Sequence, residues 1–172
     1  MKMLVTQLTG LLQRIATSEE ENIEDTARLL AQAIAGEGDI YFATFGELES
    51  VFTNASQAVE PFPRLKHWSS DVELDRSDRV WIMTRSVENE EALALARKLY
   101  DSFIPFSVLA SEAPGEENEL SELAYTYVSL KMTKGLLPAD DGSRVVQPYS
   151  LAAMFVYEAV RWKLEEMFGS EE

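Results

Sequence analysis

The 172-residue chain has no cysteine. That absence removes disulfides, thiolate nucleophiles and Cys-ligated zinc or iron–sulfur centres. It has a single histidine, His67, so a His-rich metal site within one chain is excluded too, and neither a metal nor a cofactor is expected. Basic side chains are few: 15 Lys and Arg stand against 30 Asp and Glu, a net charge of -15. A surface of that sign repels a phosphate backbone, so nucleic acid is not an expected partner. No apolar run is long enough to cross a bilayer, which excludes a membrane partner on the sequence. Met1 to Thr17 carries only Lys2 and Arg14 as basic residues and no small-residue cleavage site, so the expected location is the cytoplasm.

What remains is an ordinary globular composition, 46% hydrophobic and 26% charged. The length suits one domain with its own core. Much of the acidic excess lies in short runs, among them Glu19-Glu20-Glu21, Glu90-Glu91, Glu116-Glu117 and Glu171-Glu172, which read as solvated loop and helix-end charge.

Apolar periodicity sets the order of elements. Leu4, Leu8, Leu11, Leu12 and Ile15 form one helical stripe, and Ile23, Ala27, Leu30, Ala31 and Ile34 form a second. Asn22 is placed to cap the second helix, and Gly36 and Gly38 to end it. The run from Asp39 to Phe45 is apolar, aromatic and bounded by glycines, which predicts a buried strand. Glu47 to Val59 predicts a helix stopped by Pro61 and Pro63.

A weak strand is expected over Leu65 to Trp68 and clearer ones over Arg79–Thr84, Pro105–Ala110 and Ala124–Val128. A helix through Ala92, Leu95, Ala96 and Leu99 separates two of them. Glu112 to Ser121 reads as a short helix or a loop, Lys131 to Arg144 as a loop, and Pro148 to Phe168 as the final helix. Alternating strands and helices predict a single α/β domain over residues 1–172, with helices over 1–36 and a doubly wound parallel sheet within a core over 39–168. Leu151 to Tyr157 is apolar all the way round. Such a helix is buried on more than one side, either within the monomer or against a second copy of the chain.

Ligands of open parallel sheets bind where strand C-termini lead into helix N-termini. Two such loops stand out, Thr44–Ser50 and Thr84–Glu91. The second brings two hydroxyls, an amide and a guanidinium to a helix start, a place that suits phosphate because free N–H groups and the helix dipole both favour an anion. The plainer alternative is that Thr84 or Ser86 caps the helix and Arg85 pairs with a nearby Glu.

In these loops the sequence resembles the SIS (sugar isomerase) domain, and within it the single-domain, phosphoheptose isomerase-like members. The first motif, G-x-G-x-S, stands as Gly46-Glu47-Leu48-Glu49-Ser50, with Leu48 in place of the second glycine. The second, S-x-S-G-x-T-x-x-E, stands as Thr84-Arg85-Ser86-Val87-Glu88-Asn89-Glu90-Glu91, with Val87 in place of Gly and Asn89 in place of Thr. The order of elements agrees from about Ile23 to Phe168. The resemblance implies a flavodoxin-like three-layer αβα sandwich, a homodimer, and a sugar phosphate held by Gly46, Glu47, Ser50, Thr84, Arg85, Ser86 and Asn89. A β-branched Val87 accepts a positive φ less easily than glycine would, and Arg85 adds a permanent charge instead.

Aldose–ketose isomerisation needs a base and a second group for the oxygens. By the same resemblance the base position falls on Glu60, ten residues after Ser50. The family's second partner, a His on the C-terminal helix, is missing, since Leu151 to Phe168 contains no His. That leaves His67 as a substitute, with solvated and structural readings for Glu60 and His67 standing beside the catalytic ones. The expectation is phosphosugar binding with weak or absent isomerase activity. The alternative is a non-catalytic dimeric sensor or interaction module.

Overall fold

The computed structural model describes residues 1–169. Two helices open the chain, α1 (Lys2–Ser18) and α2 (Glu20–Ala35). Then come β1 (Ile40–Thr44), a 3-10 turn (Gly46–Leu48), α3 (Glu49–Gln57) and β2 (Leu65–His67). They are followed by β3 (Arg79–Met83), α4 (Glu90–Asp101), β4 (Phe106–Ala110), α5 (Glu119–Leu123) and β5 (Thr126–Ser129). A small ribbon, β6 (Leu137–Pro138) and β7 (Arg144–Val145), precedes the last helix, α6 (Tyr149–Phe168).

The five-stranded sheet has the order β2-β1-β3-β4-β5, parallel throughout, so the expected doubly wound α/β architecture is what the chain adopts. Period-two alternation divides each strand between two cores. On one face Phe42, Trp81, Met83, Leu109 and Val128 pack against α1, α2, α3 and α6. On the other, Ala43, Val80, Ile82, Val108 and Tyr127 pack against α4 and α5. The β1–β3 register places Phe42 beside Trp81, and their rings meet edge-on at 5.4 Å between centroids. Two polar side chains lie under α2 and are satisfied there: Ser107 shares a 2.9 Å hydrogen bond with Thr26, and the Thr126 hydroxyl donates to the Asn22 carbonyl.

Three details differ from the sequence reading. Glu19, not Asn22, occupies the N-cap of α2, and Asn22 sits in the first turn with its amide donating to the Glu19 carboxylate at 2.9 Å. Glu19 is buried and also accepts from the Ser129 N–H and Lys131 Nζ, so it stays at the helix start as a latch onto β5. The segment expected as a plain loop after Lys131 contains the antiparallel β6–β7 ribbon. Third, α6 is enclosed largely by its own chain: Ala152, Ala153, Val156 and Tyr157 are buried, while Leu151 and Trp162 stay exposed. Gly38, expected to stop α2, enforces a close approach instead, because an ideal Cβ there would lie 1.9 Å from the Ser77 carbonyl oxygen.

Candidate functional site

Because β1 and β3 are adjacent and parallel, their C-terminal loops emerge side by side. Between them is a cavity of about 390 Å³ lined by Phe45, Gly46, Glu47, Thr84, Arg85, Ser86, Glu88 and Asn89. Gly46 makes the first loop possible. Its φ of +61° lies in the left-handed region, and the chain turns there straight into the 3-10 helix. The Phe45 N–H donates to the Met83 carbonyl, so this loop is tied to the neighbouring strand. The Glu47 carbonyl accepts from the hydroxyls of Ser50 and Ser150, which ties it to α3 and α6 as well.

The second loop is held from within. Thr84 is buried, and its hydroxyl donates to the Ser86 carbonyl at 3.0 Å. Asn89 caps α4, its Oδ1 accepting the Ala92 N–H at 2.9 Å. The Ser86 hydroxyl accepts the Glu88 N–H and donates to Glu112. The Arg85 and Ser86 main-chain N–H groups meet no acceptor among the described residues. Arg85 reaches over the cavity mouth, 3.7 Å from a Glu47 oxygen and 5.6 Å above the Tyr149 ring. The arrangement offers an anion one guanidinium, a hydroxyl and the N-terminus of a 12-residue helix. Against it stand the Glu47 and Glu88 carboxylates.

Of the residues singled out in the sequence, the fold gathers Gly46, Glu47, Thr84, Arg85, Ser86 and Asn89 around this one cavity. Ser50 lies on α3 and does not line it. Glu60 follows α3 and pairs with Arg161 of α6 at 3.0 Å, beside a separate groove that includes Pro61, Pro63 and Leu164. His67, at the end of β2, lies 3.3 Å from a Glu49 oxygen with its ring 4.2 Å from that of Phe52. Glu60, His67 and the cavity therefore occupy three different places. Among the described residues no group of three or more His, Asp or Glu is arranged to hold a metal ion.

Two neighbours of the cavity escaped the sequence reading. Glu88 stood inside the quoted motif without a role. Glu112 comes 26 residues after Ser86, and its carboxylate meets the loop only because β4 lies beside β3. Its main chain is pinned by Tyr127, whose hydroxyl donates to the Glu112 carbonyl at 2.8 Å. Burial first, and the Glu112 charge in addition, push the Tyr127 hydroxyl up to about 12.

Solved structures share this fold at low sequence identity. The Vibrio vulnificus NanR protein complexed with ManNAc-6P superposes with a TM-score of 0.69 at 13% identity, over 96% of this chain and 62% of that one. E. coli CFT073 c3406, in complex with a sugar phosphate, gives 0.66 at 16% identity, over 96% and 88%. Other proteins of the same fold include sugar-isomerase domains and sugar-phosphate isomerase-like proteins, so the fold is that of the SIS group. In sequence, the uncharacterized protein YwjG of Bacillus subtilis (strain 168) is 34% identical over 168 residues, 97% of this chain and 96% of the relative. Residues 1–168 match the model of DUF2529, described as a domain of unknown function, and the chain belongs to that family.

Proposed function

We propose that the chain binds a phosphosugar, with the phosphate on the Thr84–Asn89 loop and the sugar extending toward Gly46 and Glu47. The observation that carries the reading is the cavity itself, which combines Arg85, the Ser86 hydroxyl and the α4 N-terminus at the carboxyl ends of β1 and β3. Support comes from two proteins of the same fold whose structures are complexes with sugar phosphates, ManNAc-6P in the case of NanR. Isothermal titration calorimetry with a panel of sugar phosphates and the matching free sugars tests it. Binding that requires the phosphate, and that weakens when Ser86 or Arg85 is replaced by Ala, is the expected result. Equal binding of parent and both variants leaves the loop with a capping role alone.

The same reading assigns weak or absent isomerase activity, in a chain whose motifs resemble those of phosphoheptose isomerases. Proton transfer between neighbouring carbons needs a base within hydrogen-bond reach of the substrate. Glu60 is paired with Arg161 and His67 lies beside Glu49 and Phe52, and neither lines the cavity. The carboxylates that do line it are Glu47 and Glu88. Robust turnover of sedoheptulose 7-phosphate, abolished by Glu60→Gln, would overturn this part. The resemblance also implies a homodimer, and Leu151 and Trp162 exposed on α6 suit a second copy. Light scattering that gives a monomer at micromolar concentration removes that element.

A further inference from the structure

A loop suited to phosphate is not empty of anions here. The Ser86 hydroxyl donates to one carboxylate oxygen of Glu112 at 3.1 Å, and the Val87 N–H donates to the other at 3.2 Å. One main-chain N–H and one serine hydroxyl, converging on two oxygens of a single anion, is the donor pattern a phosphate would use. No Lys or Arg pairs with this carboxylate among the described residues. Its hydrogen-bond partners in the loop are the donors themselves.

The contact is also well presented. The Glu112 carbonyl is fixed by Tyr127, and the Ser111 N–H and hydroxyl both donate to the Arg85 carbonyl, so the two loops are fastened through their main chains. The Glu112 side chain can therefore rotate away while the loops stay in place. Arg85, the cavity's cation, is likewise directed at a carboxylate of its own chain, Glu47.

We propose that the Glu112 carboxylate is an internal ligand of the β3–α4 loop, holding in the free protein the donors that a phosphate takes when it binds. The proposal rests on reading that loop as the phosphate cradle. An intramolecular carboxylate competes at a high effective concentration, and it lowers apparent affinity by the fraction of time it occupies the site. A cradle filled nine times in ten has its phosphate affinity reduced about tenfold. Glu112 would then act as an affinity filter: a weak or singly charged anion fails to displace it, and a dianion aided by Arg85 succeeds.

The test is calorimetric titration of inorganic phosphate into the parent, Glu112→Ala, Glu112→Gln and Ser86→Ala proteins, with circular dichroism to confirm folding. Glu112→Ala is expected to bind phosphate about tenfold more tightly, and Glu112→Gln, which keeps the shape without the charge, also more tightly than the parent. Acetate should refill the vacated place, competing with phosphate in Glu112→Ala and far less in the parent. Should Glu112 be only a strut between the loops, Glu112→Ala binds more weakly and Glu112→Gln binds like the parent, and the proposal falls. Binding by the parent that Ser86→Ala abolishes and both Glu112 variants leave unchanged would keep the cradle and discard the internal ligand. Failure of every protein to bind phosphate or a sugar phosphate would overturn both. If Glu112→Ala does not fold, the Gln variant and the Val87 amide resonance carry the test: phosphate must shift that resonance in the parent, and an unmoved resonance overturns the proposal.

Discussion

Glu47 and Glu60 flank the same helix, α3, and each faces an arginine, yet the fold gives them opposite roles. Glu47 lies before the helix, 3.7 Å from Arg85, on the cavity between the β1 and β3 loops. Glu60 lies after it, 3.0 Å from Arg161, with its side chain 80% exposed. The shorter ion pair belongs to the less favourable place for an anionic ligand. Beyond a helix C-terminus the free groups are carbonyls, which repel an anion, whereas the start of α4 beside Arg85 presents N–H groups. Direction along the elements, and not the presence of a Glu–Arg pair, separates a binding site from a surface contact.

Four experiments sharpen or break that contrast. The largest effect is expected at the cavity: Arg85→Ala and Ser86→Ala should each weaken sugar-phosphate binding by about 1–3 kcal/mol, read by calorimetry, and the loss should shrink as salt is raised. Next is Gly46→Val. The position has φ +61°, and no atom lies within 4 Å of an added Cβ, so the cost is backbone strain alone, about 1–2 kcal/mol in urea unfolding, with weakened binding because the loop must shift.

Smaller again is a pH effect at Tyr127. Its hydroxyl is raised to about 12 in the folded chain, so the native state keeps a proton that the unfolded chain releases near pH 10. Stability from this group is complete below pH 10 and is lost as pH rises toward about 12, on the order of 1 kcal/mol after allowing for solvent screening. Tyr127→Phe should flatten that part of the stability–pH curve. The smallest effect belongs to the exposed pair. Glu60→Gln should change stability by less than about 0.5 kcal/mol and leave sugar-phosphate affinity as it was. A large loss of affinity in Glu60→Gln would erase the contrast between the two arginine pairs.

The fold was legible because its signals are local. Strand β1 announced itself as an aromatic run between glycines, and α4 as a stripe through Ala92, Leu95, Ala96 and Leu99, all of them buried in the structure. The α2 start was misread for a physical reason. Asn22 has the better intrinsic capping propensity, but Glu19 gains buried partners in Ser129 and Lys131 that lie more than a hundred residues away in sequence. The ribbon of β6 and β7 was missed because strands of two residues carry no periodicity.

The same division applies to the candidate site. Gly46, Thr84, Ser86 and Asn89 could be placed from sequence because each follows its strand by only a few residues, and strand ends in a parallel sheet share one edge. Glu112 could not, since nothing near it in the chain refers to Ser86 or Val87.

By itself the sequence determined the elements, their alternation and the edge of the sheet where a ligand would sit. Backbone propensity and apolar period act over a few residues, and they act regardless of what folds beside them. Only the tertiary structure decided which charges meet: Arg85 with Glu47, Arg161 with Glu60, and the Glu112 carboxylate with the Ser86–Val87 loop. Those encounters depend on the order β2-β1-β3-β4-β5, which brings distant segments within hydrogen-bond range. Electrostatic and hydrogen-bond energies fall off with distance in space, and spacing along the chain does not report it.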